Sequence, residues 1–296
     1  MRLVTFSSDG LGEPLRAGLR LDDAIVDLHE VHVTRPGADW DPTPAAILSR
    51  GIDALPVLER LAEESGAVPG ATIDPASVTL GPCVVAPRKI ICIGLNYRRH
   101  AAEARMAIPE TPILFSKFDN TLIGHGAVVT IPAVTAQADY EIELATVIGR
   151  SATAVSPSSA LDHVLGYATA NDLSARDLQF QTSQWLLGKS LDGFLPIGPD
   201  LVTADEVPDP QALGLRTWLN GELRQDSSTA DMIFPVADLV AYVSTYMTLV
   251  PGDVILTGTP EGVIAGRPDP VWLADGDVVT VEIDGLGRLE TTFRAG

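Results

Sequence analysis

Cysteine is nearly absent from this chain of 296 residues, which contains only Cys83 and Cys92. A framework of disulfide bonds needs more cysteines than this, so the fold does not depend on one. No cysteine and histidine residues are grouped at the spacing of a zinc site, which argues against the zinc-finger classes of protein.

Basic residues are also few, because 20 Lys and Arg stand against 39 Asp and Glu, a formal net charge of −19. Nucleic acids and anionic membrane surfaces are bound by clusters of basic residues, so neither is expected as a partner. No apolar run approaches the roughly 18 residues of a membrane span. Residues 1–6 also lack the apolar stretch of a signal peptide. We therefore expect a cytoplasmic protein whose partner is a small molecule or another protein.

Hydrophobic residues, by contrast, make up 46% of the chain, enough for a substantial core. The length predicts one large domain or two unequal ones. We predict a β-rich α+β fold, with a small N-terminal α/β domain over residues 1–75 and a larger domain over residues 76–296. Short strands dominate the second part, where Asn220-Gly221 and Asp284-Gly285 predict β-hairpins.

Two glutamates, Glu141 and Glu143, lie in the segment 140–148, which has the pattern of a strand buried on both faces. Side chains two residues apart on a strand point to the same side, with Cβ atoms roughly 6.5–7 Å apart. Two buried carboxylates repel each other, and a divalent cation removes this repulsion by binding their oxygens. If the strand end emerges into solvent instead, the pair is an ordinary surface feature, which is the commoner case for this pattern alone.

A third carboxylate, Asp172, follows the predicted strand 166–170 and precedes a helix predicted over 174–186. A strand end before a helix is a common position for a ligand, although an aspartate there is as often a helix cap or a turn residue. Arg176 and Gln179 share a face of that helix and are suited to binding a carboxylate or carbonyl group, unless the face is simply solvated.

A candidate base is formed by His100 and Glu103, at positions i and i+3 of a helix predicted over 97–105. A glutamate bonded to one imidazole nitrogen orients the ring and strengthens it as a base toward water. The alternative is a surface contact between the two side chains, which is the more frequent origin of such pairs.

Two further stretches are candidates for binding an anion. Gly188-Lys189-Ser190 does not fit a phosphate-binding loop, because position 183 is serine instead of glycine. Lys189 is then either a cation beside an anionic substrate or a surface lysine. The segment 256–260 predicts a strand that runs into a glycine turn, where backbone N–H groups and the Thr259 hydroxyl bind a carboxylate or form only a turn. G-x-S-x-G, G-x-G-x-x-G and H-E-x-x-H motifs are absent, which argues against serine hydrolases, dinucleotide enzymes and zinc proteases.

Together these segments resemble the fumarylacetoacetate hydrolase family from about residue 85 to the end of the chain. The motifs that carry the resemblance are Ile93-Gly94-Leu95-Asn96-Tyr97 with His100 and Glu103, Tyr140-Glu141-Ile142-Glu143-Leu144, Asn171-Asp172-Leu173-Ser174-Ala175-Arg176-Asp177, Gly188-Lys189-Ser190 and Leu256-Thr257-Gly258-Thr259-Pro260. Each motif alone is modest evidence for the family, whereas five of them in the family's order are specific for it.

The resemblance implies a mixed β-roll catalytic domain, a homodimer, and a bound Mg²⁺ for which Mn²⁺ or Ca²⁺ can substitute. It implies the metal ligands Glu141, Glu143 and Asp172, the catalytic residues His100, Glu103 and Lys189, and the substrate-binding residues Arg176, Gln179 and Thr259. Members of the family cleave or rearrange 2-oxo acids and their enols, so the expected partner is a small 2-oxo acid.

Three functions are compatible with this resemblance. The first is a metal-dependent hydrolase that cleaves a C–C bond in an acylpyruvate-type 2,4-dioxo acid, with the metal stabilising the enolate and the His100–Glu103 pair activating water. The second is a decarboxylase of oxaloacetate-type acids, or an isomerase of 2-hydroxyhepta-2,4-diene-1,7-dioate, an intermediate of aromatic-compound degradation. The third is a metal- or ligand-binding module without catalysis, against which the paired base and Lys189 argue.

Overall fold

The computed structural model describes residues 1–8, 10, 14–21, 23–34 and 40–296. Within these ranges the chain forms nineteen β-strands and eight α-helices, joined in places by short 3₁₀ turns. More of the described residues lie in strands than in α-helices, and the predicted β-rich α+β class is confirmed. No helix in the described part of the chain is long and apolar enough to cross a membrane.

The elements are numbered in chain order. The strands are β1 (Arg2–Ser7), β2 (Arg16–Leu21), β3 (Ala24–Asp27), β4 (Thr72–Ile73), β5 (Thr79–Leu80), β6 (Ile90–Gly94), β7 (Ile113–Lys117), β8 (Leu122–Ile123), β9 (Val128–Ile131), β10 (Ala138–Asp139), β11 (Ile142–Ile148), β12 (Val164–Asn171), β13 (Ser174–Ala175), β14 (Leu195–Thr203), β15 (Gly214–Leu219), β16 (Glu222–Ser228), β17 (Val254–Leu256), β18 (Val278–Ile283) and β19 (Gly287–Ala295). The helices are α1 (Leu28–Val33), α2 (Pro44–Arg50), α3 (Leu55–Glu64), α4 (Arg98–Glu103), α5 (Pro157–Ala160), α6 (Arg176–Gln179), α7 (Leu186–Lys189) and α8 (Val236–Tyr246).

The largest sheet brings several strand ends to one edge. Its order is β4-β3-β2-β1-β14-β12-β11-β17-β6-β7, with β5 paired to β1 and β8 paired to β14. β11 runs antiparallel to β12, starting with Ile142 opposite Asn171, and β17 runs antiparallel to β11 and parallel to β6. The start of β11 therefore lies beside the ends of β12, β17 and β6. The loops that follow these three strands meet there.

A second sheet, in the order β16-β15-β18-β19-β9, contains both predicted hairpins. Asn220 and Gly221 have φ angles of 53° and 81°, as the two-residue turn between β15 and β16 requires. The Asp284-Gly285 turn joins β18 to β19, which pair antiparallel. Both hairpin predictions are confirmed.

The helix predicted over 174–186 is wrong. The structure has a short strand, β13, followed by two helices of one turn each, α6 and α7. A Cβ atom on Gly188 would lie 2.5 Å from the backbone nitrogen of Gln179, so α7 packs directly on the backbone of α6. The chain must fold back between these helices to make this contact, which a continuous helix cannot do.

Residues 1–75 share both a sheet and a core with the rest of the chain. Strand β1 pairs with β14. One hydrophobic cluster combines Leu19, Val26 and Leu58 with Ala145 and Leu256 from the second part of the chain. The domain boundary at residue 75 stays a prediction, because sheet and core both continue across it.

Candidate active site

Three carboxylates converge at the edge where the strand ends meet. Glu141 and Glu143 lie at the start of β11 and Asp172 follows β12, and one oxygen of each lies within 4.8 Å of the others. The Asn171 side chain accepts the backbone N–H of Glu141 at 3.0 Å, which holds the two strand ends together. The three residues are only 6%, 1% and 0% exposed, so they are not ordinary surface acids.

The alternation of β11 explains why the two glutamates point the same way. One face of the segment packs into the larger hydrophobic cluster through Tyr140, Ile142 and Leu144. The opposite face packs into the second cluster through Ala145 and Val147. Glu141 and Glu143 continue this second face to the edge of the sheet, where the packed core ends.

Two buried lysines and an arginine face the carboxylates. Lys189 Nζ donates to Glu141 at 2.7 Å and to Asp172 at 2.8 Å. Lys117, at the end of β7, donates to Asp172 at 2.5 Å, and Arg176 donates to Glu141 at 2.5 Å. Burial raises the pKa of Glu141, but Arg176 and Lys189 outweigh burial and hold that pKa at about 2. Glu141 is therefore ionised at neutral pH.

Glu143 differs from the other two, because no cation pairs with it among the residues that the structure describes. It accepts the backbone N–H of Gly258 at 2.7 Å. Burial, together with repulsion by Asp172 and Glu141, raises the pKa of Glu143 well above its ordinary value. A carboxylate in this setting is stable either as the neutral acid or beside a further cation.

The donor set fits a divalent cation. When Asp139 is included, which pairs with Arg176, four buried carboxylates face three buried cationic side chains. The carboxylates therefore carry one negative charge more than these cations balance. Glu143 is the carboxylate that has no cationic partner among the described residues. Carboxylate oxygens are the ligands that Mg²⁺, Mn²⁺ and Ca²⁺ bind in proteins.

Two residues of this charge network, Lys117 and Asp139, were not predicted from the sequence. Asp139 accepts Nε of Arg176 at 2.9 Å and the backbone N–H groups of Ile264 and Ala265 at 2.8 and 3.0 Å. It thus ties α6 to the loop that follows β17. In the sequence, Asp139 could have been found by its position next to the segment that contains Glu141 and Glu143. Lys117 could have been found as a charged residue at the end of an apolar strand.

Arg176 and Gln179 contact each other, since a terminal nitrogen of Arg176 donates to the Gln179 amide oxygen at 2.9 Å. The guanidinium also serves Asp139 and Glu141, so much of its hydrogen-bonding capacity is used within the protein. Both side chains line the cavity beside the carboxylates. Their role in binding substrate stays a prediction.

The predicted pair His100 and Glu103 lies on α4, facing the same cavity. Nδ1 of His100 is 3.1 Å from Oε2 of Glu103, and Oε1 of Glu103 accepts the backbone N–H of Gly262 at 2.9 Å. The two side chains are 14% and 19% exposed, so they do not form a surface contact. When Nδ1 donates its proton to Glu103, Nε2 carries the lone pair and is free to accept a proton.

Thr259 follows β17 and is oriented by Gln225, a residue that was not predicted from the sequence. The Gln225 amide nitrogen donates to the Thr259 hydroxyl oxygen at 3.0 Å, while its oxygen accepts the Thr217 hydroxyl and the backbone N–H of Ile142. The Thr259 proton is therefore available to a ligand. Of the backbone N–H groups of the segment 256–260, that of Gly258 donates to the protein's own carboxylate Glu143. No local signal marks Gln225, because it sits in a polar hairpin strand.

One cavity of about 490 Å³ connects these groups. Of the nine site residues predicted from the sequence, eight line it, namely His100, Glu103, Glu141, Glu143, Arg176, Gln179, Lys189 and Thr259. The ninth, Asp172, lies behind them and contacts Lys117 and Lys189. The sequence thus selected residues that the tertiary structure brings together.

Comparison with known proteins gives consistent matches. A family model described as fumarylacetoacetate (FAA) hydrolase, C-terminal, matches residues 89–294. The curated protein oxaloacetate tautomerase fahd2, mitochondrial, of Xenopus laevis is 41% identical over 293 residues, which cover 98% of this chain and 89% of the relative.

Two solved structures match over the whole chain. Fumarylacetoacetate hydrolase from psychrophilic Exiguobacterium antarcticum has a TM-score of 0.83 and 36% sequence identity, covering 100% of both chains. Maleylpyruvate hydrolase from Sphingobium sp. SYK-6, in complex with manganese(II) ion and pyruvate, has a TM-score of 0.80 and 31% identity, again covering 100% of both chains. The fold expected from the sequence is therefore confirmed.

Proposed function

This chain belongs to the fumarylacetoacetate hydrolase family of enzymes, and from that premise we propose that it transfers a proton between the keto and enol forms of a 2-oxo acid of the oxaloacetate type. The observation that carries this proposal is the His100–Glu103 pair, which faces the same cavity as the buried Glu141 and Glu143. The relative named an oxaloacetate tautomerase supports the choice of reaction.

The proposal includes a divalent cation at Glu141, Glu143 and Asp172. The uncompensated carboxylate of Glu143 supports this assignment, as does the solved relative that holds manganese(II) and pyruvate. We propose Mg²⁺ or Mn²⁺, with Ca²⁺ as a substitute, because all three prefer oxygen ligands. When bound at these carboxylates, such an ion would supply Lewis acidity that stabilises negative charge developing on the substrate.

The protein supplies the proton transfer. His100 takes a proton from the carbon beside the 2-oxo group and returns it to the oxygen, and the reverse sequence converts enol to keto. Glu103 orients the ring through Nδ1 and stabilises its protonated form. Thr259, whose hydroxyl proton is free, donates to the substrate carboxylate, and Lys189 balances the charge of Glu141 and Asp172.

Hydrolysis of an acylpyruvate, the reaction expected first from the sequence, is the second candidate. The specific observation in its favour is the cavity volume of about 490 Å³, which lies within the roughly 300–1,000 Å³ that hold much larger ligands than a four-carbon acid. The same base would then remove a proton from water instead of carbon. Decarboxylation requires orientation of the leaving carboxylate and no base.

Two assays, each with Mg²⁺ or Mn²⁺ and again with EDTA, distinguish these reactions. The first follows the conversion of enol oxaloacetate to its keto form spectrophotometrically. The second measures pyruvate release from oxaloacetate and from acetylpyruvate. We expect metal-dependent loss of the enol without pyruvate, reduced about 100-fold or more in His100→Gln. The matched control is His29→Gln, at an exposed histidine outside this cavity.

Each other outcome selects a different reaction. Pyruvate from acetylpyruvate would favour the hydrolase, and pyruvate from oxaloacetate would favour the decarboxylase. No metal-dependent turnover of either compound would overturn the proposal and would favour the third function, the non-catalytic binding module.

The homodimer and the cytoplasmic location expected from the sequence also remain proposals. Light scattering coupled to gel filtration tests the first, with the mass of two chains as the expected result. Cell fractionation tests the second, and the mitochondrial location in the name of the Xenopus laevis relative is the competing expectation.

A further inference from the structure

Asn96 lies in the turn between β6 and α4 and has no part in the function proposed above. It is completely buried, and it is not among the residues that line the cavity. Leu95, the residue before it, has a φ angle of 57°, a left-handed conformation that is unfavourable for a residue with a side chain. Such a conformation persists only where the surrounding structure holds it.

The side-chain amide of Asn96 joins this turn to two other segments. Its Nδ2 donates to the backbone oxygen of Thr257 at 2.8 Å and to that of Phe234 at 3.1 Å. Its Oδ1 accepts the backbone N–H of Phe234 at 2.9 Å. Both amide hydrogens and the amide oxygen are therefore used inside the protein, and no other side chain of this size supplies two donors and an acceptor.

Thr257, one of these partners, is held in place independently of Asn96. Its backbone N–H and its hydroxyl group both donate to the backbone oxygen of Leu144 on β11, at 3.1 and 2.9 Å. The next residue, Gly258, donates to Glu143 at 2.7 Å. The loop after β17 is thus attached to the strand that contains Glu143, and the bond from Asn96 ties the start of α4 to this fixed point.

The loop after β17 also packs closely against Asn96. The φ angle of Gly258 is 94°, and a Cβ atom there would lie 2.8 Å from Cβ of Asn96. His100 follows Asn96 by four residues and lies in the first turn of α4. The position of the proposed base relative to Glu143 therefore depends on the contacts of Asn96.

We propose that Asn96 is a positioning residue for the proton transfer, and that its side-chain amide fixes α4, and with it His100, relative to the carboxylates on β11. This assignment rests on the proposed function for the role of His100 as the base. It goes beyond that function by naming a residue that determines where the base lies. Loss of the amide should impair proton transfer and leave the carboxylate site intact.

The first test uses Asn96→Ala, which removes all three side-chain bonds, and Asn96→Asp, which removes the two donors and keeps the shape. In the presence of Mg²⁺, kcat for the conversion of enol oxaloacetate to its keto form should fall about tenfold or more in both variants. The affinity of Asn96→Ala for Mg²⁺, measured by calorimetry, should stay within about twofold of wild type, because Thr257 and Gly258 keep their own bonds to β11.

A double-mutant cycle with His100→Gln separates positioning of the base from a general loss of stability. An amide that acts through His100 has little left to align once that residue is replaced. In the His100→Gln chain, Asn96→Ala should therefore lower kcat by less than about twofold, instead of about tenfold as in the wild-type chain. A general loss of stability would lower kcat by the same factor in both chains.

Gln211→Glu is the matched control, since it makes the same amide-to-acid change as Asn96→Asp. The Gln211 amide also holds the segment around Phe234, because it donates to the backbone oxygen of Thr229 at 3.0 Å and accepts the backbone N–H of Val236 at 2.8 Å. It is not among the residues that line the cavity. This substitution should change kcat by less than about twofold.

Hydrogen–deuterium exchange followed by mass spectrometry reports how firmly α4 is held, without any reaction. In Asn96→Ala the segment 97–105 should exchange about threefold or more faster than in the wild-type chain, whereas the segment 142–148 should exchange at an unchanged rate. Asn96→Asp serves for the exchange and kinetic measurements if Asn96→Ala does not fold.

The assignment is overturned if exchange of the segment 97–105 is unchanged, if kcat is unchanged, or if Asn96→Ala costs as much in the His100→Gln chain as in the wild-type chain. It is also overturned if the affinity for Mg²⁺ falls as steeply as kcat. Failure of the proposed reaction is a separate result. A chain that converts no enol but exchanges faster in α4 when Asn96 is replaced retains Asn96 as the residue that positions α4 and loses the reaction.

Discussion

At the scale of single residues, the site is defined by an excess of buried negative charge. Glu141 and Asp172 each have cationic partners, whereas Glu143 is bonded, within the described part of the chain, to a backbone N–H and to no cation. The raised pKa of Glu143 reflects this difference, since burial and two neighbouring carboxylates oppose its ionisation. Binding of a metal ion is therefore expected to change the energy of Glu143 more than that of Glu141 or Asp172.

Glu143→Gln should stabilise the metal-free chain and abolish its response to metal. The amide keeps the shape of the side chain and removes the repulsion by Glu141 and Asp172, so the melting temperature in EDTA should rise by about 2–4 °C. Wild-type melting temperature should rise with excess Mg²⁺, by linkage, and that of the variant should not. Thermal denaturation followed by circular dichroism measures both.

The control for this pair of measurements is Glu59→Gln, at an exposed position of α3. It should leave both the melting temperature in EDTA and the metal response unchanged. A metal response of normal size in Glu143→Gln would remove this residue from the proposed ligand set.

Lys117 should contribute strongly to stability through its bond to Asp172. Lys117→Met leaves a buried charge with one cationic partner fewer, at an expected cost of about 3–5 kcal/mol in the free energy of unfolding. Added Mg²⁺ should recover part of this loss, because the ion restores positive charge beside Asp172. Urea denaturation with and without Mg²⁺ measures the effect.

Lys89→Met is the matched comparison, because Lys89 also pairs with a buried aspartate, Asp253 at 2.6 Å, but at the other end of β6 from the site. Its loss of stability should not depend on Mg²⁺. Equal recovery by Mg²⁺ in the two variants would mean that the metal acts elsewhere.

At the scale of elements, α4 is held against the loop after β17 by side chains at both ends. Arg99 lies 3.0 Å from Glu261, and Glu103 accepts the backbone N–H of Gly262. His100 lies between these attachments, so the position of the proposed base depends on how the helix docks. The helix was predicted from its own sequence, whereas its docking depends on residues about 160 positions away.

Gly266→Ala should disturb this docking without disturbing the fold. The new methyl group would meet the end of the flexible Glu103 side chain, which can move away but then no longer orients His100. We expect kcat/KM to fall about tenfold, mainly through kcat, with the melting temperature changed by less than about 3 °C. Steady-state kinetics and thermal denaturation measure the two quantities.

Gly66→Ala provides the control, because a Cβ atom there meets nothing within 4 Å. It should leave kcat/KM unchanged. If Gly266→Ala retained full activity, the Glu103–Gly266 contact would have no role in positioning the base.

At the scale of the whole molecule, the N-terminal 75 residues are joined to the rest by a continuous sheet and a common hydrophobic cluster. We therefore expect a single cooperative unfolding transition in differential scanning calorimetry, with the calorimetric and van't Hoff enthalpies equal. Two resolved transitions would show that residues 1–75 and 76–296 unfold separately, as the predicted division into domains implies.

The sequence predicted those features that depend on short-range pattern. The alternation around Glu141 and Glu143, the two hairpin turns and α4 with its His100–Glu103 pair follow from spacing of two to four residues. The helix over 174–186 failed because close packing of Gly188 on Gln179 outweighed local helical preference. Lys117, Asp139 and Gln225 were not predicted, because each acts through a partner that is distant in the sequence. These partners are Asp172, Arg176 and Thr259, respectively.

By itself, the sequence determined which residue types stand at the ends of the strands and which protein family the motifs resemble, because local spacing carries that information. Only the tertiary structure decided that β6, β11, β12 and β17 bring those ends to one edge. At that edge four carboxylates meet three cationic side chains, and one negative charge is left uncompensated. Charge balance in a buried site is a sum over groups from the whole chain, and no single segment contains it.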